Sequence, residues 1–198
     1  MNQLEQRIMD ISRRHGLSHL GSCFTALPII AGIYEKMQPT DRFVLSNGHA
    51  ALALYVVLEH HKKADAEELL TRHGIHPERD IDCGIFVSTG SLGMGLPIAV
   101  GIAYANRGAD VYCLISDGEC AEGSIWEALQ FIDDHQLTNL KVHVNINGVA
   151  AYKAVNIESL TRRLSAFLPT VKIHYTNVHD VVQFDSDLQA HYKSANQL

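Results

Sequence analysis

A carboxylate and a carboxamide stand at the ends of two predicted strands. Residues 110–115 are apolar and β-branched and lead into Ser116-Asp117-Gly118, and residues 140–144 lead towards Asn147. A helix-like segment, residues 123–132, lies between them, which is the pattern of a βαβ unit. In a parallel sheet the carboxyl ends of two such strands are neighbours, on the edge where ligands bind. We therefore expect Asp117 and Asn147 to face one site.

The two side chains suit a hard cation. Carboxylate and amide oxygens, few in number, are typical ligands of a Mg²⁺ or Ca²⁺ that also binds phosphate oxygens. Gly118 lets the backbone approach a phosphate closely, and the start of the following helix offers N–H groups and the positive end of a dipole. The residues predict a metal-bridged diphosphate. The alternative is an Asp cap followed by an Asn-Gly turn, which is common in ordinary α/β proteins.

The same stretch resembles the signature of thiamine-diphosphate enzymes. Asp117-Gly118, a strand-to-strand crossover and Asn147 follow one another as they do there, and Glu122-Gly123 and Trp126-Glu127-Ala128 resemble the transketolase version. The resemblance implies thiamine diphosphate as cofactor. It also implies that Mg²⁺, or Ca²⁺, is held by Asp117, Asn147 and the carbonyl of Val149.

Two further segments resemble cofactor-binding motifs of the transketolase family. They are Ser46-Asn47-Gly48-His49-Ala50 and Thr89-Gly90-Ser91-Leu92-Gly93, and Ser91 stands where the family usually has proline. In the family, glutamates matching Glu122 and Glu127 lie at a subunit interface that links paired active sites. The cofactor contacts implied by the resemblance are those of His49, Gly90, Ser91, Leu92, Gly118, Glu122 and Asn147.

Two histidine segments resemble the substrate-facing loops of the family. They are Ser18-His19-Leu20-Gly21 and His76-Pro77-Glu78. Imidazoles bind sugar hydroxyls and move protons near neutral pH, so the resemblance implies catalytic roles for His19 and His76. The chain has 12 histidines, and we interpret most of the others, His143 among them, as surface or packing residues.

The elements around these motifs alternate between strand and helix, which predicts an α/β fold. We expect one parallel β-sheet with helices on both faces, the thiamine-diphosphate-binding fold that the resemblance implies. Residues 18–22 are predicted as a polar loop. The predicted strands outside the central unit are 42–45 and 170–175, and the predicted helices are 4–14, 24–36, 50–60, 64–72, 90–107, 157–166 and 181–193.

Size and composition fit one domain over residues 1–198. The apolar content of 46 % is ample for a core, and the net charge of −6 argues against a nucleic-acid-binding surface. No apolar run is long enough to span a bilayer and no signal-peptide pattern is present. The four cysteines show no metal-binding spacing and are expected to be reduced, which indicates a cytoplasmic protein.

The resemblance covers roughly residues 18–180, with Ser116 in place of the glycine that normally precedes Asp-Gly. We expect a domain that is truncated relative to full-length transketolase and lacks the family's second, pyrimidine-binding domain. We expect the N-terminal subunit of a split transketolase-like transferase. It would move a two-carbon ketol unit between sugar phosphates only with a separate C-terminal subunit, and it would associate with itself in a two-plus-two heterotetramer.

Two alternatives remain open from the sequence. Ser18-His19-Leu20-Gly21 leans towards a deoxyxylulose-phosphate-synthase-like carboligase, whereas Leu45-Ser46-Asn47-Gly48-His49 leans towards transketolase. A third function class is a non-catalytic remnant that binds the cofactor or a partner without turnover.

Overall fold

Four parallel strands form the sheet that carries the predicted site. The computed structural model describes residues 1–150, 154–180, 194 and 196. The strands are β1 (Arg42–Leu45), β2 (Val111–Ser116), β3 (Leu140–Ile146) and β4 (Lys172–Tyr175), in the order β1-β2-β3-β4. Ser116 pairs with Asn145, so β2 and β3 end side by side, as the sequence predicts.

Helices cover both faces of this sheet, which confirms the predicted fold class. None of the described helices is long and apolar enough to cross a membrane. Single 3₁₀ turns follow β1 (Gly48–Ala50) and β2 (Gly118–Ala121). The helices are α1 (Gln3–His15), α2 (Leu20–Tyr34), α3 (Ala51–His60), α4 (Ala66–His73), α5 (Gly95–Ala105), α6 (Gly123–Asp134) and α7 (Ile157–Phe167).

Alternate residues of the strands belong to two separate apolar cores, one on each face of the sheet. Phe43 and Leu114 pack with α1–α4, whereas Val44, Cys113 and Ile115 pack with α5–α7. Because both faces are buried, the strands are nearly continuous apolar runs instead of alternating with polar residues. Each such side chain stabilises the fold by about 2 kcal/mol on burial. The two cores hold the strand ends rigidly, and the site is built on those ends.

Two predicted boundaries are wrong, for different reasons. Residues 20–22 are helical instead of looped, because Leu20 is buried at the first turn of α2 and its packing outweighs the neighbouring glycine. Helix α5 begins at Gly95 instead of Gly90, because Gly90 and Gly93 adopt φ values of 153° and 80° that no α-helix contains. The predicted helix 181–193 lies outside the described residues. All four cysteines are free.

A pair of stacked histidines lies between β3, β4 and α2. The Nδ1 of His143 is 2.9 Å from the Nε2 of His174, and the rings stack at 5.0 Å. Burial lowers the pKa of His143 to about 3, with His174, Lys172 and Lys36 adding positive charge around it. Burial also lowers the pKa of His174. His143 is thus a packing residue, as predicted, and it is packed in its neutral form.

The free energy of unfolding is expected to fall as the pH drops below 6.5. Histidine in the unfolded chain binds a proton with a pKa near 6.5, whereas folded His143 does so only near pH 3. The stability contributed by neutral His143 is therefore fully present above pH 6.5 and is lost between pH 6.5 and pH 3. The expected contribution of His143 to this fall between pH 7.5 and pH 5 is about 2 kcal/mol, measured by urea unfolding as the difference between wild type and His143→Leu; Asp117, whose pKa is raised to about 6, acts in the opposite direction in both proteins. His143→Leu should flatten this slope; a variant profile as steep as that of the wild type would contradict the assignment.

Candidate functional site

A cavity of about 290 Å³ opens at the carboxyl ends of β1, β2 and β3. Nine of the residues selected from the sequence line it, from six separate segments of the chain. These nine are His19, His49, His76, Gly90, Leu92, Asp117, Gly118, Asn147 and Val149. Ser91 and Glu122 do not line it, and both are exposed. The folded chain therefore brings most of the predicted residues to one place.

Asp117 lies at the floor of the cavity and is 4 % exposed. One carboxylate oxygen accepts the Gly118 N–H at 2.9 Å, and the other accepts the N–H groups of Asn147 and Gly148 at 3.0 and 2.8 Å. Burial nevertheless raises the pKa of Asp117 to about 6, because these three bonds do not replace the lost hydration. A positive ion at this position would favour the ionised carboxylate.

The donors around Asp117 fit a hard divalent cation. The Oδ1 of Asn147 accepts the Val149 N–H at 3.0 Å and the Oδ1 of Asp117 accepts the Gly118 N–H, so each of these two oxygens keeps a second lone pair. Asn147 and Val149 both line the cavity beside Asp117. The described residues contain no cluster of three His, Cys, Asp or Glu side chains placed to hold a metal. A cation here would therefore take one carboxylate, one carboxamide and backbone or ligand oxygens, a set typical of Mg²⁺.

Close backbone packing brings the three loops of the site together. A Cβ at Gly48 would lie 2.8 Å from the Gly90 nitrogen, and a Cβ at Gly95 would lie 2.6 Å from the Ser46 Cα. A Cβ at Gly90 would lie 3.1 Å from the His76 ring. Only glycine permits these approaches, so the loop after β1 and the turn 89–95 lie directly against each other. Gly118 differs, because a Cβ there would meet only Ala150 at 3.8 Å.

Three histidines, His19, His49 and His76, also line the cavity. The rings of His19 and His49 are 5.6 Å apart, and His19 adopts a left-handed φ of 62° immediately before α2. Burial, and then the charge of His76, lower the pKa of His19. Its imidazole is therefore neutral at neutral pH, with one nitrogen able to accept a proton or hydrogen bond and the other able to donate. His49 is half-buried and His76 is exposed.

Five further residues line the cavity that were not selected from the sequence: Ser22, Asn47, Ser116, Asn145 and Ala150. Asn47 is 1 % exposed, and its Oδ1 has no hydrogen-bond partner among the described residues. Asn145 is also buried, and its amide bridges Thr25 of α2 and Thr176 after β4. A carboxamide near the carboxyl end of a buried strand, two positions before Asn147, was the signal that could have found Asn145. An Asn-Gly pair after a strand is typical of a turn, so the sequence pattern does not indicate that Asn47 is a site residue.

The family comparison matches almost the whole chain. Residues 9–196 match the family described as transketolase, thiamine diphosphate binding domain. Human transketolase is 37 % identical, over 74 % of this chain and 27 % of the relative. The chain thus spans about a quarter of the length of that curated relative. One of the subunits of the apulose-4-phosphate transketolase from Phocaeicola vulgatus is 33 % identical, over 82 % of this chain and 66 % of the relative.

Solved structures show the same fold. Transketolase from Campylobacter jejuni superposes with a TM-score of 0.60 at 26 % identity, over 84 % of this chain and 32 % of the other. Transketolase from Leishmania mexicana superposes with a TM-score of 0.60 at 19 % identity, over 89 % of this chain and 37 % of the other, and it shows the fold alone.

Proposed function

Because this chain belongs to the transketolase family, as its N-terminal thiamine-diphosphate-binding domain, we propose that it is one subunit of a split transketolase-like enzyme. The observation that carries the proposal is the position of Asp117 and Asn147 on adjacent strand ends, in one cavity with three histidines. The Phocaeicola vulgatus relative is itself named as a transketolase subunit, which supports a division of the enzyme between chains. The whole unit, residues 1–198, is proposed to act as a single diphosphate-side domain.

The proposed cofactor site uses the floor of the cavity. Asp117, Asn147 and the Val149 carbonyl would hold Mg²⁺, which in turn binds the diphosphate. Gly118, His49 and the turn Gly90–Leu92 would contact the cofactor, and the unpartnered Oδ1 of Asn47 supports a polar ligand there. Bound thiamine diphosphate would supply the carbanion chemistry of ketol transfer. The protein would position that group and exclude water from it.

The proposed substrate side uses His19 and His76. Both line the same cavity, and the neutral imidazole of His19 can accept a proton from a sugar hydroxyl or donate a hydrogen bond to one. The proposed reaction moves a two-carbon ketol unit from a ketose phosphate to an aldose.

Two features support the proposal that this chain assembles with other chains. Asp117 is the single carboxylate among the described lining residues, so a second carboxylate that acts on the cofactor would come from another chain with a pyrimidine-binding domain. In addition, Ile98 and Tyr104 on α5 and Phe131 on α6 are exposed, and the Tyr104 and Phe131 rings lie 5.9 Å apart. An exposed apolar face of this kind supports self-association through these helices. Glu122 is exposed and lies beside Gly93, and its proposed interface role rests on the resemblance.

The proposed binding is tested by titrating thiamine diphosphate into the chain with its complementary subunit, with and without Mg²⁺. Calorimetry is expected to show saturable binding that requires the cation. Binding that is unchanged when Mg²⁺ is removed with a chelator would contradict the proposed metal bridge. Absence of any binding by the assembled chains would contradict the cofactor site itself.

Replacing His76 and His49 should separate substrate contacts from cofactor contacts. His76→Ala is expected to lower turnover about 10–100-fold and to leave the cofactor affinity nearly unchanged. The exposed imidazole of His76 is proposed to contact the substrate, and the variant loses this contact. His49→Ala is expected to weaken cofactor binding about tenfold as well. Steady-state kinetics and calorimetry measure the two effects, with exposed His60→Ala as control. The same pattern in both variants would contradict the assignment.

A further inference from the structure

A second buried carboxylate lies just behind the cavity and has no role in the proposed chemistry. Glu119 is 0 % exposed and does not line the cavity. Its Oε1 accepts the Ser46 hydroxyl at 2.6 Å and the Gly93 N–H at 3.0 Å, and its Oε2 accepts the Ser116 N–H at 3.0 Å. No basic side chain pairs with it in the described part of the chain. Its side-chain partners in the described part of the chain are therefore three neutral donors.

The three donors belong to three different segments, each of which continues into the site. Ser46 follows β1 and precedes Asn47 and His49, and Gly93 belongs to the turn that contains Gly90 and Leu92. Ser116 ends β2 and precedes Asp117. Two of these donors lie far from Glu119 in the sequence, Ser46 by 73 positions and Gly93 by 26. One side chain thus joins three loops of the cavity.

Both oxygens of a carboxylate are acceptors, so Glu119 can accept from all three donors at once, and the bond from the Ser46 hydroxyl is the shortest of the three. Glutamine cannot reproduce this arrangement. With its oxygen at the Oε1 position, its amide group faces the Ser116 N–H; in the flipped orientation, the amide group faces the Gly93 N–H. Either orientation sets two donors against each other and leaves one backbone N–H without an acceptor.

We propose that Glu119 is a positioning residue, which fixes the loops 46–50 and 89–95 against the end of β2 so that His49, Gly90 and Asp117 face one ligand. It touches neither substrate nor cofactor, and its effect passes through backbone geometry. The effect on loop order rests on the contacts above. The effect on cofactor affinity rests in addition on the proposed function.

Amide hydrogen–deuterium exchange of the full chain, followed in proteolytic peptides, tests the proposal. Glu119→Gln is expected to raise exchange about tenfold in residues 46–50 and 89–95, which are distant from position 119 in sequence. Leu164→Ala is the matched control, because it opens a cavity in the core that α5–α7 form with the sheet, at a residue that is 0 % exposed and is not one of the partners of Glu119. It should lower global stability without selective exchange in these two loops. Unchanged loop exchange in Glu119→Gln, or an equal change in both variants, would overturn the proposal.

A second variant covers the case in which Glu119→Gln does not fold. Ser46→Ala removes a single donor and should raise exchange in residues 46–50 but not in 89–95; unchanged exchange in 46–50 would overturn the proposal.

Calorimetry of the assembled chains with Mg²⁺ and thiamine diphosphate adds a readout that a change in stability alone does not affect. The Kd should rise about tenfold in Glu119→Gln and stay constant in Leu164→Ala. Wild-type chains that bind no cofactor would contradict the proposed function while leaving the exchange result intact.

Discussion

Replacing Asp117 by asparagine is expected to reduce the affinity for thiamine diphosphate with Mg²⁺ by at least about 100-fold, or about 3 kcal/mol. The side chain is buried, and its charge is compensated only by three backbone N–H groups. A cation bound there would lose its single protein carboxylate among the described lining residues. Calorimetry of the assembled chains at several Mg²⁺ concentrations measures the loss.

Asparagine preserves the shape of the side chain, so the fold should survive in this variant. Its oxygen can still accept the N–H groups of Asn147 and Gly148, which keeps the loop after β3 in place, and the one hydrogen bond lost is that from the Gly118 N–H. Asp133→Asn, on the exposed surface of α6, makes the same change of charge away from the cavity and should leave binding unchanged. Near-wild-type, Mg²⁺-dependent affinity in Asp117→Asn would contradict the proposed metal site.

Purified chain without a complementary subunit is expected to show no ketol transfer. The described lining residues hold one carboxylate, and Asp117 is already committed to three N–H groups and to the proposed cation. General acid–base groups typically contribute about 10²–10⁴-fold to a rate, and here the second group would come from the partner. Adding a chain with the pyrimidine-binding domain should therefore raise the rate by at least that factor.

The assay compares this chain alone, the partner alone, both together, and the partner with Asp117→Asn. Turnover is expected only when both wild-type chains are present. Robust turnover by this chain alone would contradict the split-enzyme proposal. No turnover with any complementary subunit, despite cofactor binding, would favour the non-catalytic alternative.

The local pattern of residues determined the fold class and the composition of the cavity floor. Apolar runs that end in Asp117 and near Asn147 specify parallel strands, because only buried strands are apolar on both faces. Parallel strands end on one edge, so the proximity of these two side chains follows without coordinates. The register of Ser116 with Asn145 agrees with that reasoning.

Only the tertiary structure decided which side chains complete the cavity and what holds its loops together. Glu119 follows Asp117-Gly118 and was given no role from the sequence, yet it is fully buried between Ser46, Gly93 and Ser116. Two of its partners come from segments that the sequence separates widely, and local spacing carries no information about such contacts. The same holds for Asn47, because an Asn-Gly pair has the same local signature on a surface turn as in a buried loop.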